Sequence, residues 1–128
     1  LAEGKDVSIL ATGIMVDMAL KARELLAAEG ISAAVVNVHT IKPIDREAVV
    51  KAAETTGAIV TAEEHNVIGG LGAAVAEVVC ETKPVPVLRV GVEDSFGRSG
   101  TVPALLELYG LTPENIAAKA KAAVAMKK

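Results

Sequence analysis

The period of the apolar positions changes several times along this chain, and each change marks an element. Residues 7–12, Val-Ser-Ile-Leu-Ala-Thr, are short and almost wholly apolar, as a strand buried on both faces is, and Gly13 ends the run. From 14 to 29 the period lengthens. Asp17, Lys21 and Glu24 share one helical face, Met18, Ala22, Leu25 and Leu26 the other, and Gly30 is placed to stop the helix. Residues 33–38 form a second near-continuous apolar strand, left through His39-Thr40-Ile41-Lys42-Pro43. Asp45 then caps a helix whose buried stripe is Val49, Ala52 and Ala53, with Ile44 and Val49 as a hydrophobic staple and Gly57 as the stop.

The run 58–62 reads as a third strand, opening on Glu63-Glu64-His65-Asn66-Val67-Ile68-Gly69-Gly70-Leu71-Gly72, and an alanine-rich helix with Glu77 as its single charge follows over 73–80. A helix that starts there points unpaired N–H groups and its positive dipole end out of the loop, so an anion can sit against Gly69 and Gly70. The blander reading is that the glycines let the helix pack closely on the sheet. Their spacing is neither G-x-G-x-x-G nor a loop ending in Gly-Lys-Ser/Thr. Beyond Lys83-Pro84-Val85-Pro86, residues 87–92 give a fourth strand, and the prolines suit a strand start or a sheet edge. A polar loop over 93–100 and a short helix over 101–109 come next. The last helix has Thr112 as its cap, Pro113 as its first residue, Leu111 and Ile116 as its staple, and Lys127 and Lys128 at its negative end.

Strands alternating with helices predict one domain over 1–128, a three-layer α/β/α sandwich around a mainly parallel, mixed sheet, with no internal repeat or linker. Ligands of such sheets gather at the carboxyl ends of the strands. His39 and His65, each just past an expected strand, fall at that edge.

Composition narrows the partners. Only 2% of residues are aromatic against 52% hydrophobic, and the net charge is −3, so there is neither a base-stacking platform nor a basic patch; nucleic acid and anionic membrane are excluded as partners. The longest uncharged runs, 30–41 and 65–76, fall well short of the ~20 residues of a membrane helix. The lone Cys80, set in an apolar helix, is expected to be packed and inert, in a reducing and therefore cytoplasmic compartment. No signal-like amino terminus is seen, and a start at Leu1 rather than Met is what a domain excised from a longer chain shows.

Two histidines and the pair Glu63-Glu64 near one edge invite metal or acid–base chemistry, but His39 and His65 have no strong third partner, so no metal site is assigned. Arg98, in Asp94-Ser95-Phe96-Gly97-Arg98-Ser99-Gly100, can fork onto a phosphate or carboxylate, or simply pair with Asp94 or Glu93 at the surface. No nucleophile elbow is present. The residues give no catalytic constellation; His65, Asn66, Gly69, Gly70 and Arg98 stand as candidates for an anion-binding or interface site.

Five stretches in register carry a family resemblance: Lys5-Asp6-Val7 through Ala11-Thr12-Gly13, Ile41-Lys42-Pro43-Ile44-Asp45, Glu63 through Gly72, Phe96-Gly97-Arg98-Ser99-Gly100, and Tyr109-Gly110-Leu111-Thr112-Pro113-Glu114. Together they resemble the carboxy-terminal domain of transketolases, most of all the separate carboxy-terminal section of split, two-chain microbial enzymes. The resemblance implies a transketolase carboxy-terminal-domain-like fold and a part in two-carbon ketol transfer between sugar phosphates, in the pentose phosphate pathway. It implies thiamine diphosphate and magnesium in the complete enzyme, bound by domains absent here, with none expected in this chain. The partners it implies are the amino-terminal and pyrimidine-binding domains of the same enzyme, in a dimer or other homo-oligomer, and this domain supports packing and dimerisation without being catalytic alone. Alternatives are the corresponding domain of 1-deoxyxylulose-5-phosphate synthase or of a 2-oxo acid dehydrogenase thiamine component, or an anion-binding regulatory module. Glu63 and Glu64 do not correspond to the family's activating glutamate, which belongs to another domain.

Overall fold

The computed structural model describes residues 2–13, 15–38, 45–66, 71–92 and 111–127. In chain order these form β1 (Val7–Ala11), α1 (Met15–Ala27), β2 (Ala33–Asn37), α2 (Arg46–Thr56), β3 (Ile59–Asn66), α3 (Leu71–Glu81), β4 (Val87–Val92) and α4 (Pro113–Ala125). The four strands pair in parallel in the order β2-β1-β3-β4. The antiparallel element is a single bridge, in which Ala2 exchanges both backbone hydrogen bonds with Val35 at the outer edge of β2. Residues 2–6, expected as a plain polar lead-in, are thus tied to the sheet. Gly4 makes this possible, since a Cβ there would lie 2.3 Å from the carbonyl carbon of Ala33.

Each strand residue chooses a face by the alternation of the pleat. Val7, Ile9, Ala11, Ala33, Val35, Val60, Ala62 and Val90 point to the side covered by α1 and α4. Leu10 and Ile59 point to the side covered by α2 and α3, where Val49, Ala53, Leu71, Val75, Val78 and Val79 meet them. Helices on both faces of a parallel sheet account for strands buried on both sides, and the expected three-layer sandwich is the one found.

The helix caps follow the sequence closely. Asp45 Oδ1 accepts from the Ala48 N–H at 3.1 Å, and α2 ends at Gly57 with φ +73°. Thr112 Oγ1 accepts from Asn115 N–H at 3.2 Å, Pro113 opens α4, and Leu111 and Ile116 are both buried in the same cluster. Ile44, the 93–100 loop and the 101–109 helix lie outside the described residues.

Four expectations are corrected. The buried stripe of α1 is Met15, Ala19, Ala22 and Leu26, while Leu25 is 42% exposed; Leu25 sits one residue, about 100°, from Leu26 and so turns past the contact line. Cys80 is exposed, because Val75, Val78 and Val79 define the face of α3 toward the sheet and Cys80 lies off it. Lys127 does not serve its own helix. Its Nζ donates to the carbonyls of Asp6 at 2.8 Å and Thr56 at 2.9 Å, so its charge sits at the negative end of α2. Finally, β3 does not stop at Ala62 but runs on to Asn66.

Candidate functional site

The order β2-β1-β3-β4 has a reversal built into it. From β1 the chain crosses through α1 to β2 on one side, then returns through α2, over the opposite face, to β3 on the other side. The crevice between the carboxyl ends of β1 and β3 is therefore the topological switch point, the place where open α/β sheets hold ligands. What the sequence puts there is Thr12 and Gly13 after β1, and Glu63 to Asn66 at the end of β3.

The end of β3 is irregular. Ala62 pairs with Val90 and Asn66 with Val92, so four steps along β3 match two along β4. A bulge of this kind bends the strand and re-aims side chains, and it absorbs Glu63, Glu64 and His65. This is why the carboxylate pair and His65, expected in a loop just past the strand, lie within it: their backbone is strand, but with a shifted register.

Glu63 follows Ile59 and Thr61 by alternation onto the face of α2 and α3. Its side chain is 1% exposed, and its Oε2 accepts from the backbone N–H of Leu71, the first residue of α3, at 2.5 Å. One of the unpaired N–H groups that a helix start offers to an anion is thus met by a carboxylate from the chain itself. The sequence offered Glu63 only as half of an acidic pair; what could have singled it out is the two-residue alternation Ile59-Thr61-Glu63, which puts it on the helix-covered face.

Next along α3, Gly72 is buried, and a Cβ on it would come within 2.3 Å of Arg89 Cδ, 2.6 Å of Arg89 Cγ and 3.0 Å of Thr61 Oγ1. The close-packing reading holds for this glycine: the Arg89 stem crosses where a side chain would be. Nothing in the spacing of the loop glycines distinguished Gly72 from its neighbours, because the side chain it makes room for arrives from β4.

Of the expected site residues, His65 and Asn66 are placed by backbone at the end of β3. Gly69, Gly70 and Arg98, like His39, lie outside the described residues. Among the described residues no three His, Cys, Asp or Glu side chains come together as metal ligands. Open depressions on the described surface include three away from the switch point. One of about 670 Å³ runs beside β2, lined by Ala2, Gly4, Ser8, Val36, Ala52 and Thr55 among others; the other two flank α2.

Comparison with known proteins gives a consistent picture. The family model described as the transketolase C-terminal domain matches residues 1–116. The chain is 59% identical over 116 residues to a 6-deoxy-6-sulfo-D-fructose transketolase subunit of Clostridium sp. strain MSTE9, covering 91% of this chain and 36% of that one. It is 47% identical over 122 residues to 1-deoxy-D-xylulose-5-phosphate synthase of Heliobacterium modesticaldum, covering 94% of this chain and 19% of that one. Among solved structures, one described as a split-gene transketolase in an inactive β4 tetramer superposes with a TM-score of 0.95 at 57% identity, over 99% of this chain and 42% of that one. The chain thus spans between a fifth and two fifths of these relatives.

Proposed function

The chain belongs to the transketolase C-terminal domain family, and we propose that it serves as the carboxy-terminal domain of a thiamine-diphosphate-dependent transketolase, moving a two-carbon ketol unit between sugar phosphates in the cytoplasm. The observation that carries this reading is the 59% identity to a split transketolase subunit across nearly the whole chain. The domain supports packing and dimerisation and contributes no catalytic residue. Its partners are the amino-terminal and pyrimidine-binding parts of the same enzyme, and it works in a homo-oligomer. One solved relative, of which this chain covers 42%, is described as an inactive β4 tetramer, and that description favours a part that self-associates.

Thiamine diphosphate and magnesium belong, in this reading, to those other parts. We assign His65, Asn66, Gly69, Gly70 and Arg98 to contact with the neighbouring domains rather than to an anion. The Glu63 carboxylate at the start of α3 supports this, because a second anion there would be repelled by the first.

A second reading, 1-deoxyxylulose-5-phosphate synthase, is favoured by the 47% identity to that enzyme of H. modesticaldum. The donor separates the two. Enzyme assembled with this domain, thiamine diphosphate and magnesium is given either xylulose 5-phosphate with ribose 5-phosphate or pyruvate with glyceraldehyde 3-phosphate. Turnover of the first pair supports transketolase; turnover of the second alone moves the assignment to the synthase.

A further inference from the structure

β2 is an outermost strand of the described sheet, and its outer edge is held by residues 2–6. Within β2, alternate residues turn both backbone groups to the same side. The Val38 N–H donates to the Ala11 carbonyl, so Ala34, Val36 and Val38 face β1, and Ala33, Val35 and Asn37 face outward. Ala2 meets that edge by exchanging both bonds with Val35, at 3.2 and 3.0 Å. Arg23 reaches over from α1, its Nε donating to the Ala33 carbonyl at 2.9 Å and its Nη2 to that of Glu3 at 3.2 Å. At the turn into β1, the Asp6 carboxylate accepts from the Ser32 N–H at 2.7 Å, and the Lys5 N–H donates to the Ser32 hydroxyl at 3.2 Å. None of residues 2–6 belongs to the buried core, so this array secures the edge and not the interior.

The strand beneath is one that needs covering. Ala33-Ala34-Val35-Val36-Asn37 carries neither a charge nor a proline, two of the devices that keep an open edge from pairing with another chain. It has no bulge either, since its five residues match β1 in unbroken register. A two-fold axis at Val35 would set this strand against the same strand of a second copy, with Ala33 of each opposite Asn37 of the other. Every outward N–H and C=O then meets its complement. We propose that residues 2–6 are a strap that keeps β2 from pairing with β2 of a second copy, and that releasing the strap opens a self-association site along this edge. Catalysis does not enter into it.

The test uses the whole protein with Gly4→Val. A Cβ at Gly4 runs into the Ala33 carbonyl carbon and the Ala34 nitrogen, backbone atoms that cannot swing aside, so valine lifts the strap and leaves the core side chains in place. Light scattering after size exclusion gives the mass over a wide range of concentration, and amide exchange of the peptide spanning 33–37 is followed by mass spectrometry. The mass should double relative to the parent protein as concentration rises. Exchange of the peptide, about tenfold faster than in the parent at the lowest concentration, should slow again as the copies pair. Arg23→Ala, which loosens the strap without adding bulk, should do the same at higher concentration. Adding Asn37→Pro to either variant removes an outward N–H and no bond to β1, and should return the mass to that of the parent. The parent's mass at every concentration in both Gly4→Val and Arg23→Ala overturns the proposal. So does association that Asn37→Pro leaves in place, because exposed core and not the strand edge then drives it.

Discussion

Ser8 and Thr56 form a buried polar pair whose energetics can be worked out atom by atom. Their hydroxyl oxygens are 2.8 Å apart, with the residues 1% and 5% exposed, and Thr56 Oγ1 also lies 2.9 Å from the Ala52 carbonyl and 3.0 Å from that of Ala58. Thr56 has one proton, which the carbonyls claim, so Ser8 donates to Thr56. The Ala58 carbonyl also accepts the Ser8 N–H at 2.9 Å, and so it keeps a partner when the Thr56 hydroxyl is removed. Thr56→Val, nearly isosteric, therefore strands only the Ser8 hydroxyl in a dry site, at a cost of about 2 kcal/mol. Ser8→Ala leaves Thr56 its carbonyls and costs about 1 kcal/mol for the lost bond. With both changes the stranded hydroxyl disappears, and the double variant should cost about 1 kcal/mol rather than 3, a coupling of roughly 2 kcal/mol. Urea unfolding followed by circular dichroism reads this directly, because ~2 kcal/mol corresponds to a midpoint shift of about 1 M at a slope near 2 kcal/mol/M. Additivity of the two changes to within about 0.3 kcal/mol refutes the reasoning.

Lys127→Met removes a cation from two carbonyls, Asp6 and Thr56, and should lower stability by about 1 to 2 kcal/mol, with the loss shrinking if arginine replaces methionine; an unaltered urea midpoint in Lys127→Met contradicts the assignment. Gly72→Ala should destabilise although alanine is the better helix former, and Arg89→Ala should restore most of the loss by clearing the stem from the site; thermal unfolding of the three variants decides it. Asp45→Ala should cost about 1 kcal/mol through its cap on the Ala48 N–H, and Asp45→Asn much less, again by urea unfolding.

Local signals were readable where the physics is local. Thr112 with Pro113, Asp45, and Gly57 set their helix ends through contacts within a few residues, and the structure places them as the sequence implies. Strand burial was equally plain, because Val7 to Ala11 and Ile59 to Ala62 have no polar alternation to hide. What escaped depends on groups that meet across the fold. The extension of β3 to Asn66 is driven by pairing with β4, and a polar Glu-Glu-His-Asn run has no intrinsic strand signal to announce it. Lys127 looked like a helix-end charge because its true acceptors, Asp6 and Thr56, are distant in sequence. Gly72 and Glu63 had the same difficulty: one makes room for a side chain from β4, and the other needs the start of α3 brought back over the strand. Of the candidate site, the edge of the sheet was legible, and the contact of Glu63 with the start of α3 was not.

The central claim is that this domain supports a ketol transferase without performing the transfer itself. It is tested most directly by assaying xylulose 5-phosphate with ribose 5-phosphate, in the presence of thiamine diphosphate and magnesium, with this chain alone and then joined to the rest of its enzyme. The account predicts transfer only in the joined form. Transfer by the isolated chain, or none in either form, contradicts it.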